Sequence, residues 1–153
     1  MTDEQKKSIN HFFVHTFNKI MAYEERHLTR GEFANLSIKE FHAIEAVEEM
    51  RETQANTMSG IAGHLSISVG SLTTTMNVLV KKGYVKRRGS PVDRRIIYIE
   101  LTQEGFRALE KHRMFHREMV ESTAKLLDEA ECETLVDSLE RLSQFFHDKF
   151  NNL

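Results

Sequence analysis

Seven basic residues, Lys81, Lys82, Lys86, Arg87, Arg88, Arg94 and Arg95, crowd the stretch "KKGYVKRRGSPVDRRIIYIELT" with the chain's one proline, Pro91. Cations at this density suit phosphate neutralisation, so the chemistry they suggest is nucleic-acid binding. Residues 68–95 set these seven against one acid, Asp93, a net of +6 in a chain whose total is -2. The remainder is therefore acidic, at about -8. Histidine is the second chemistry-bearing type, with eight in 153 residues. His112 and His116 stand at i and i+4, which puts two imidazoles on one helix face at metal-ligand spacing. His11 and His15 repeat that spacing, so the pattern alone does not single out a metal site. No H-E-x-x-H, Gly-rich phosphate loop or nucleophile motif is present, which argues against an enzyme.

The elements that must carry these groups read as mainly helical. Apolar residues Ile9, Phe12, Phe13, Phe17, Ile20 and Met21 predict a helix from about residue 4 to Leu28. "TRGEFAN" interrupts it. Ser37 followed by Glu40 is a capping-box pattern, and Ile38, Phe41, Ile44, Ala46 and Val47 continue as a stripe to about Arg51. Thr57 caps a short helix over 58–65, with Ile61, Ala62 and Leu65 facing inward. The turn Ser66-Ile67-Ser68 leads to a helix capped by Ser68 and stopped by Gly83, with Val69, Leu72, Met76, Leu79 and Val80 inward. Then the period changes to two. "YVKRR" and "RIIYIEL" predict a hairpin around "GSPVD", with Ile97, Ile99 and Leu101 inward. A long helix from Thr102 to about Leu127, carrying Phe106, Leu109, Met119 and Val120, precedes a last one opened by Asp128 and Glu131. Leu135, Leu139, Leu142, Phe146 and Phe150 form its stripe.

A short helix, a tight turn and a helix with a polar outer face is a helix-turn-helix pattern. The outer face of the second helix carries Ser68, Ser71, Thr74 and Asn77, short groups that let a helix seat deeply in a major groove. No carboxylate occurs between Ser66 and Gly89. Lys81, Lys86, Arg87 and Arg88 are expected on phosphates. Arg94 and Arg95 are expected at a wing tip in the minor groove, where negative potential is enhanced. Asp93 and Arg95, two apart, would point the same way on an extended segment, so Asp93 is expected to aim Arg95.

These residues resemble the multiple antibiotic resistance regulator (MarR) family. The resemblance is carried by Lys82-Gly83-Tyr84-Val85, Asp93-Arg94-Arg95 and Leu101-Thr102-Gln103-Glu104-Gly105, and helix order extends it over nearly the whole chain. It implies a winged helix-turn-helix over 37–102, flanked by dimerisation helices over 1–36 and 103–153. It also implies a homodimer on a pseudopalindromic double-stranded DNA operator, usually as a repressor. "LSIKEFHAIEAV", "GSLTTTMNVLVKKGY" and "HRMFHREMVE" are similar to the fatty-acid-synthesis repressor branch. That branch implies an effector of apolar acyl type, carried on acyl carrier protein, in a tunnel that Phe41, Met114, Phe115 and Met119 could line. The family's zinc-responsive repressors imply an alternative, because their ligand places hold Glu24, His42, His112 and His116 here. One carboxylate with three imidazoles suits tetrahedral zinc.

Length allows one domain with an extension. No apolar run is long enough for a membrane span, and "MTDEQKKSIN" lacks an apolar signal core. A lone cysteine, Cys132, cannot form an intrachain disulfide, which fits a cytoplasmic setting. The family's thiol sensors place their cysteine near the first helix, so Cys132 is not expected to sense peroxide.

Overall fold

Capping side chains fix where the helices begin. The computed structural model describes residues 1–151. Thr2 and Gln5 form a capping box for α1 (Asp3–His11). The rod passes through one wide π turn, Phe12–Thr16, into α2 (Phe17–Leu28). In that turn the Phe17 N–H reaches the Phe12 carbonyl, five residues back. Apolar spacing predicts one unbroken α-helix here, because a single wide turn leaves the local spacing intact. A 3-10 turn, Gly31–Phe33, follows within "TRGEFAN" and drives Phe33 into the core.

The expected Ser37–Glu40 box opens α3 (Ile38–Glu52), with the Ser37 N–H on Glu40 Oε2 at 2.7 Å. This helix is the hub of the core. It is buried on most sides, through Phe41, Ala43, Ile44, Ala46 and Val47 and also Glu40 and Glu48, rather than along one stripe. Thr57 caps α4 (Met58–His64), and Ser68 caps α5 (Val69–Lys82). Gly83, at φ 83°, ends α5 in the left-handed region that a side chain would strain. Strands β1 (Val85–Gly89) and β2 (Ile97–Leu101) pair antiparallel, Val85 opposite Leu101 and Gly89 opposite Ile97. A third segment joins their edge. The Ile99 N–H donates to the Asn56 carbonyl, and Asn56 Nδ2 donates to the Ile99 carbonyl at 2.7 Å.

The Leu-Thr-x-x-Gly stretch is a weld between the end of α5 and α6 (Gln103–Ala124). Thr102 Oγ1 donates to the carbonyls of Gly83 and Tyr84 and accepts from the Gly105 N–H. A Cβ on Gly105 would sit 2.2 Å from the Tyr84 carbonyl oxygen, so no other residue fits without displacing backbone. Asp128 and Glu131 cap α7 (Glu129–Asn151) reciprocally.

Phe41, Ile44, Val47, Ile61, Leu72, Met76, Leu79, Ile99 and Leu109 fill the core. Fully burying one such side chain stabilises by about 1.5–3 kcal/mol. Several expected inward residues are exposed instead. Val69 stands in the first turn of α5, ahead of the core, and Val80 lies about 100° around the helix from buried Leu79. Ile97 shares its face with Ile99 but sits at the tip end of β2, beyond the core. Phe106 and Val120 are likewise exposed on α6.

The chain divides into two compact units, residues 1–115 and residues from 116 onward. The first holds the core, including Ala108, Leu109 and His112 of α6. Each unit exposes apolar residues: Ile9, Phe12, Phe13 and Phe17 in the first, and Leu139, Leu142, Phe146 and Phe150 on α7 in the second. Among the described residues, no helix is long and apolar enough to cross a membrane.

Candidate functional site

α4 and α5 meet through the turn at Ser66, which holds φ 54°. Leu72, Met76 and Leu79 anchor α5 on the core and leave Ser71, Thr74, Asn77 and Lys81 exposed on the outer side. Hydroxyls keep this face low. Ser68 Oγ accepts from the Ser71 N–H and donates to Ser71 Oγ at 2.9 Å. Thr73 folds back on the Val69 carbonyl at 2.7 Å, Thr74 on that of Gly70 and Thr75 on that of Ser71.

The basic residues divide into sets that the sequence reading treats alike. Side chains alternate along a strand, so Arg87 faces one way and Lys86 and Arg88 the other. Arg87 donates to Asn77 Oδ1 of α5 at 2.6 Å. Arg88 donates to Glu100 Oε1 at 2.5 Å, with its guanidinium 5.5 Å from the centre of the Tyr98 ring. Lys86 lies 3.7 Å from the same Glu100 carboxylate. Arg88, Tyr98 and Glu100 line a cleft of about 690 Å³ with Arg51 and Glu52 at the end of α3. Lys82 is a structural tie. Its ammonium bonds Glu40 at 2.7 and 2.9 Å and the Asn35 carbonyl, joining the end of α5 to the start of α3.

The wing tip is a turn rather than an extended segment. Ser90 Oγ accepts from the N–H groups of Val92 and Asp93, and the Ser90 N–H donates to the Ile96 carbonyl. Asp93 Oδ1 accepts from the Arg95 N–H at 2.9 Å and from Arg95 Nε at 3.3 Å. Asp93 therefore does hold Arg95, but through an Asx-type turn instead of strand alternation. The Arg95 side chain remains 91% exposed, and Arg94 is exposed beside it.

A second site lies inside the first unit. Glu24 Oε1, from α2, is 3.1 Å from His42 Nε2 of α3 and 3.1 Å from His112 Nε2 of α6. His112 is fully buried, with the Phe41 ring stacked at 6.0 Å and its Nδ1 facing Glu45 Oε2 at 3.4 Å. Burial alone would depress the His112 pKa. The hydrogen bond and charge of Glu45, then those of Glu24, outweigh it and hold the pKa above the ordinary 6.5. Nearby, Arg51 clasps Glu48 with two donors, at 2.6 and 2.8 Å, and its hydrogen bond is the main reason the Glu48 carboxyl is held below the usual range.

One ligand atom each from Glu24, His42 and His112 lie within 4.8 Å of one another. Two imidazole nitrogens and a carboxylate oxygen fit a divalent cation of the zinc type with an open position. Glu45 at Nδ1 would orient His112 so that Nε2 offers its lone pair, as carboxylates beside metal-bound histidines do. His116, the fourth residue expected there, lies one turn further along α6 in the second unit. Of the residues expected to line an acyl tunnel, Phe41 is fully buried in the core and Met114 is exposed. Phe115 and Met119 are half-buried. Sequence reading missed Glu45 and Glu100. Glu100 was open to detection, since strand register places it opposite Lys86.

A sequence model of the MarR family matches residues 36–97, which span α3, α4, α5 and most of the wing. The fold is similar to that of Streptococcus pneumoniae FabT, solved in complex with DNA. The TM-score is 0.85 at 32% identity, over 94% of this chain and 98% of that one. A Staphylococcus aureus MepR–DNA complex shares the fold at TM-score 0.74 and 18% identity, over 90% of this chain and 95% of that one. The Bacillus subtilis HTH-type transcriptional regulator MhqR is 24% identical over 149 residues, covering 94% of this chain and 99% of its own.

Proposed function

This chain is a DNA-binding transcriptional regulator of the MarR family, and we propose that it acts as a homodimeric, cytoplasmic repressor of fatty-acid or lipid synthesis genes. The observation that carries the DNA-reading geometry is the pairing of two surfaces. An outer α5 face without carboxylates stands beside a wing whose tip extends Arg94 and Arg95. In this reading Ser68, Ser71, Thr74 and Asn77 enter the major groove of an operator half-site. Arg95, aimed by Asp93, enters the minor groove, and Arg94, Arg87 and Lys81 meet phosphate. Lys86 and Arg88 act at longer range, because Glu100 already neutralises part of their charge.

Exposed apolar residues at Phe12, Phe13 and Phe17, and at Leu142, Phe146 and Phe150, support dimerisation, since isolated soluble chains rarely leave such sets in water. A dimer presents two α5 helices to two half-sites, which favours a pseudopalindromic operator. The sequence resemblance to the fatty-acid-synthesis branch and the structural similarity to FabT support an apolar acyl effector, including one delivered by acyl carrier protein. The Glu24–His42–His112 group favours a second reading, a zinc-responsive repressor. Bound there, zinc would supply a fixed positive charge joining α2, α3 and α6.

Gel-shift titration of the purified protein on its upstream intergenic DNA tests the repressor reading, with sub-micromolar specific binding expected and no preference over random DNA contradicting it. Native mass spectrometry of the dimer, with and without chelator, separates the effectors. A chelator-sensitive mass of one zinc per protomer supports zinc, and a co-purifying acyl species supports the acyl effector.

A further inference from the structure

Arg87 and Asn77 meet where the wing touches α5, at 2.6 Å. A guanidinium only donates hydrogen bonds. The atom that Asn77 turns toward Arg87 must therefore be its carbonyl oxygen. That contact fixes the amide flip, and the Nδ2 group, with both its N–H donors, is presented on the other side. The neighbouring threonine hydroxyls cannot supply the same chemistry. Those of Thr73, Thr74 and Thr75 have given their hydrogens to backbone carbonyls one turn back. They offer lone pairs to whatever approaches, whereas Asn77 offers hydrogens.

Base edges in the major groove differ in what they require. An asparagine reads adenine by using both ends of its amide, the oxygen accepting from N6 and the nitrogen donating to N7. Here the oxygen is engaged by a cation, which also repels a second donor. Guanine presents only acceptors, N7 and O6. An amide N–H pair is complementary to that edge, while the remaining N–H groups of Arg87 are directed to phosphate.

We propose that Asn77, locked by Arg87 across the helix–wing junction, is a donor-only head that reads a guanine in each operator half-site. Asn77 is the specificity-determining residue, and Arg87 is its positioning residue. The proposal rests on the DNA-reading role of α5 given above, and it deepens that role by naming the base and the atoms that recognise it.

The test uses the full-length protein and duplexes selected by it from a randomised library. Each guanine of the selected duplex is replaced singly by 7-deazaguanine, which removes the N7 acceptor and leaves pairing intact. The wild type should lose affinity about tenfold at one guanine per half-site, the size of a lost base contact. Asn77→Ala and Asn77→Asp should bind the natural and deaza duplexes equally at that position. Arg87→Ala should flatten the response, and Arg87→Lys, which still donates to the amide oxygen, should restore it. Both positions are exposed, so thermal unfolding of the variants should match the wild type and exclude misfolding. An Asn77→Ala profile identical to that of the wild type, or a uniform loss on every duplex including unselected DNA, would overturn the inference while leaving the regulator reading intact. A wild type that enriches no sequence would overturn both.

Discussion

The Glu24–His42–His112–Glu45 cluster, centred on buried Glu24 and His112, and the α5–wing surface use the same kinds of charged group in opposite ways. In the cluster, carboxylates and imidazoles from three helices lie within hydrogen-bonding or ion-pairing distance of one another, with Glu24 and His112 buried and His42 and Glu45 half-buried. At the wing tip, Arg94 and Arg95 stand exposed, and the one acid nearby orients a partner. A buried charge without a partner costs several kcal/mol, so the first region must be internally complete. An exposed guanidinium costs little, so the second can remain incomplete until a phosphate or groove completes it. The wing repeats this contrast within itself. Arg88 and Lys86 are answered by Glu100, while Arg87 works toward α5.

The contrast breaks most readily at Glu24. Glu24→Ala leaves His42 and His112 without their shared carboxylate, and should lower unfolding free energy by about 1–3 kcal/mol in denaturant titration. A loss below about 1 kcal/mol would show that the cluster is not an interdependent unit. Arg95→Ala is its counterpart. Affinity for a selected operator should fall by about 1–3 kcal/mol with an unchanged melting temperature, because the side chain supports nothing within the fold. A shifted melting temperature would place Arg95 in the scaffold instead.

Proton linkage sharpens the same comparison. His112 has a raised folded pKa, so its contribution is fully present below the unfolded value near 6.5 and is lost as pH rises through the folded pKa. With chelator present to keep metal from competing, the wild type should lose stability over that window. Glu45→Gln should lose less, since Glu45 is the largest cause raising the pKa. The smallest effect is expected at Glu100. Glu100→Gln releases Arg88 and Lys86, and affinity for random DNA should rise with a salt slope steeper by up to about one or two phosphates. No change would mean that this face of the wing never sees DNA.

Most of the fold was legible because the signals are local. Ser37 with Glu40, Thr57, Ser68 and Asp128 with Glu131 each satisfy backbone groups within one turn, and Gly83 stops a helix by its own φ. What escaped depends on three-dimensional position. Val69, Val80 and Ile97 have the periodicity of core residues but sit past its edges. The π turn at Phe12–Thr16 changes hydrogen bonding without changing residue type. At the candidate sites, Asp93 and Arg95 were readable as a pair from two residues' separation. Glu45 was not, because it meets His112 from another helix, 67 positions away in sequence.

The central claim, that α5 and the wing tip form a DNA reader, is tested most directly by a salt series. Fluorescence anisotropy of the full-length protein on a selected duplex should give log affinity falling linearly with log salt, at about 0.9 per phosphate engaged. Replacing Arg94 and Arg95 together by alanine should make that slope shallower by up to about two. An unchanged slope and affinity in the double variant, with wild-type folding, would contradict the account.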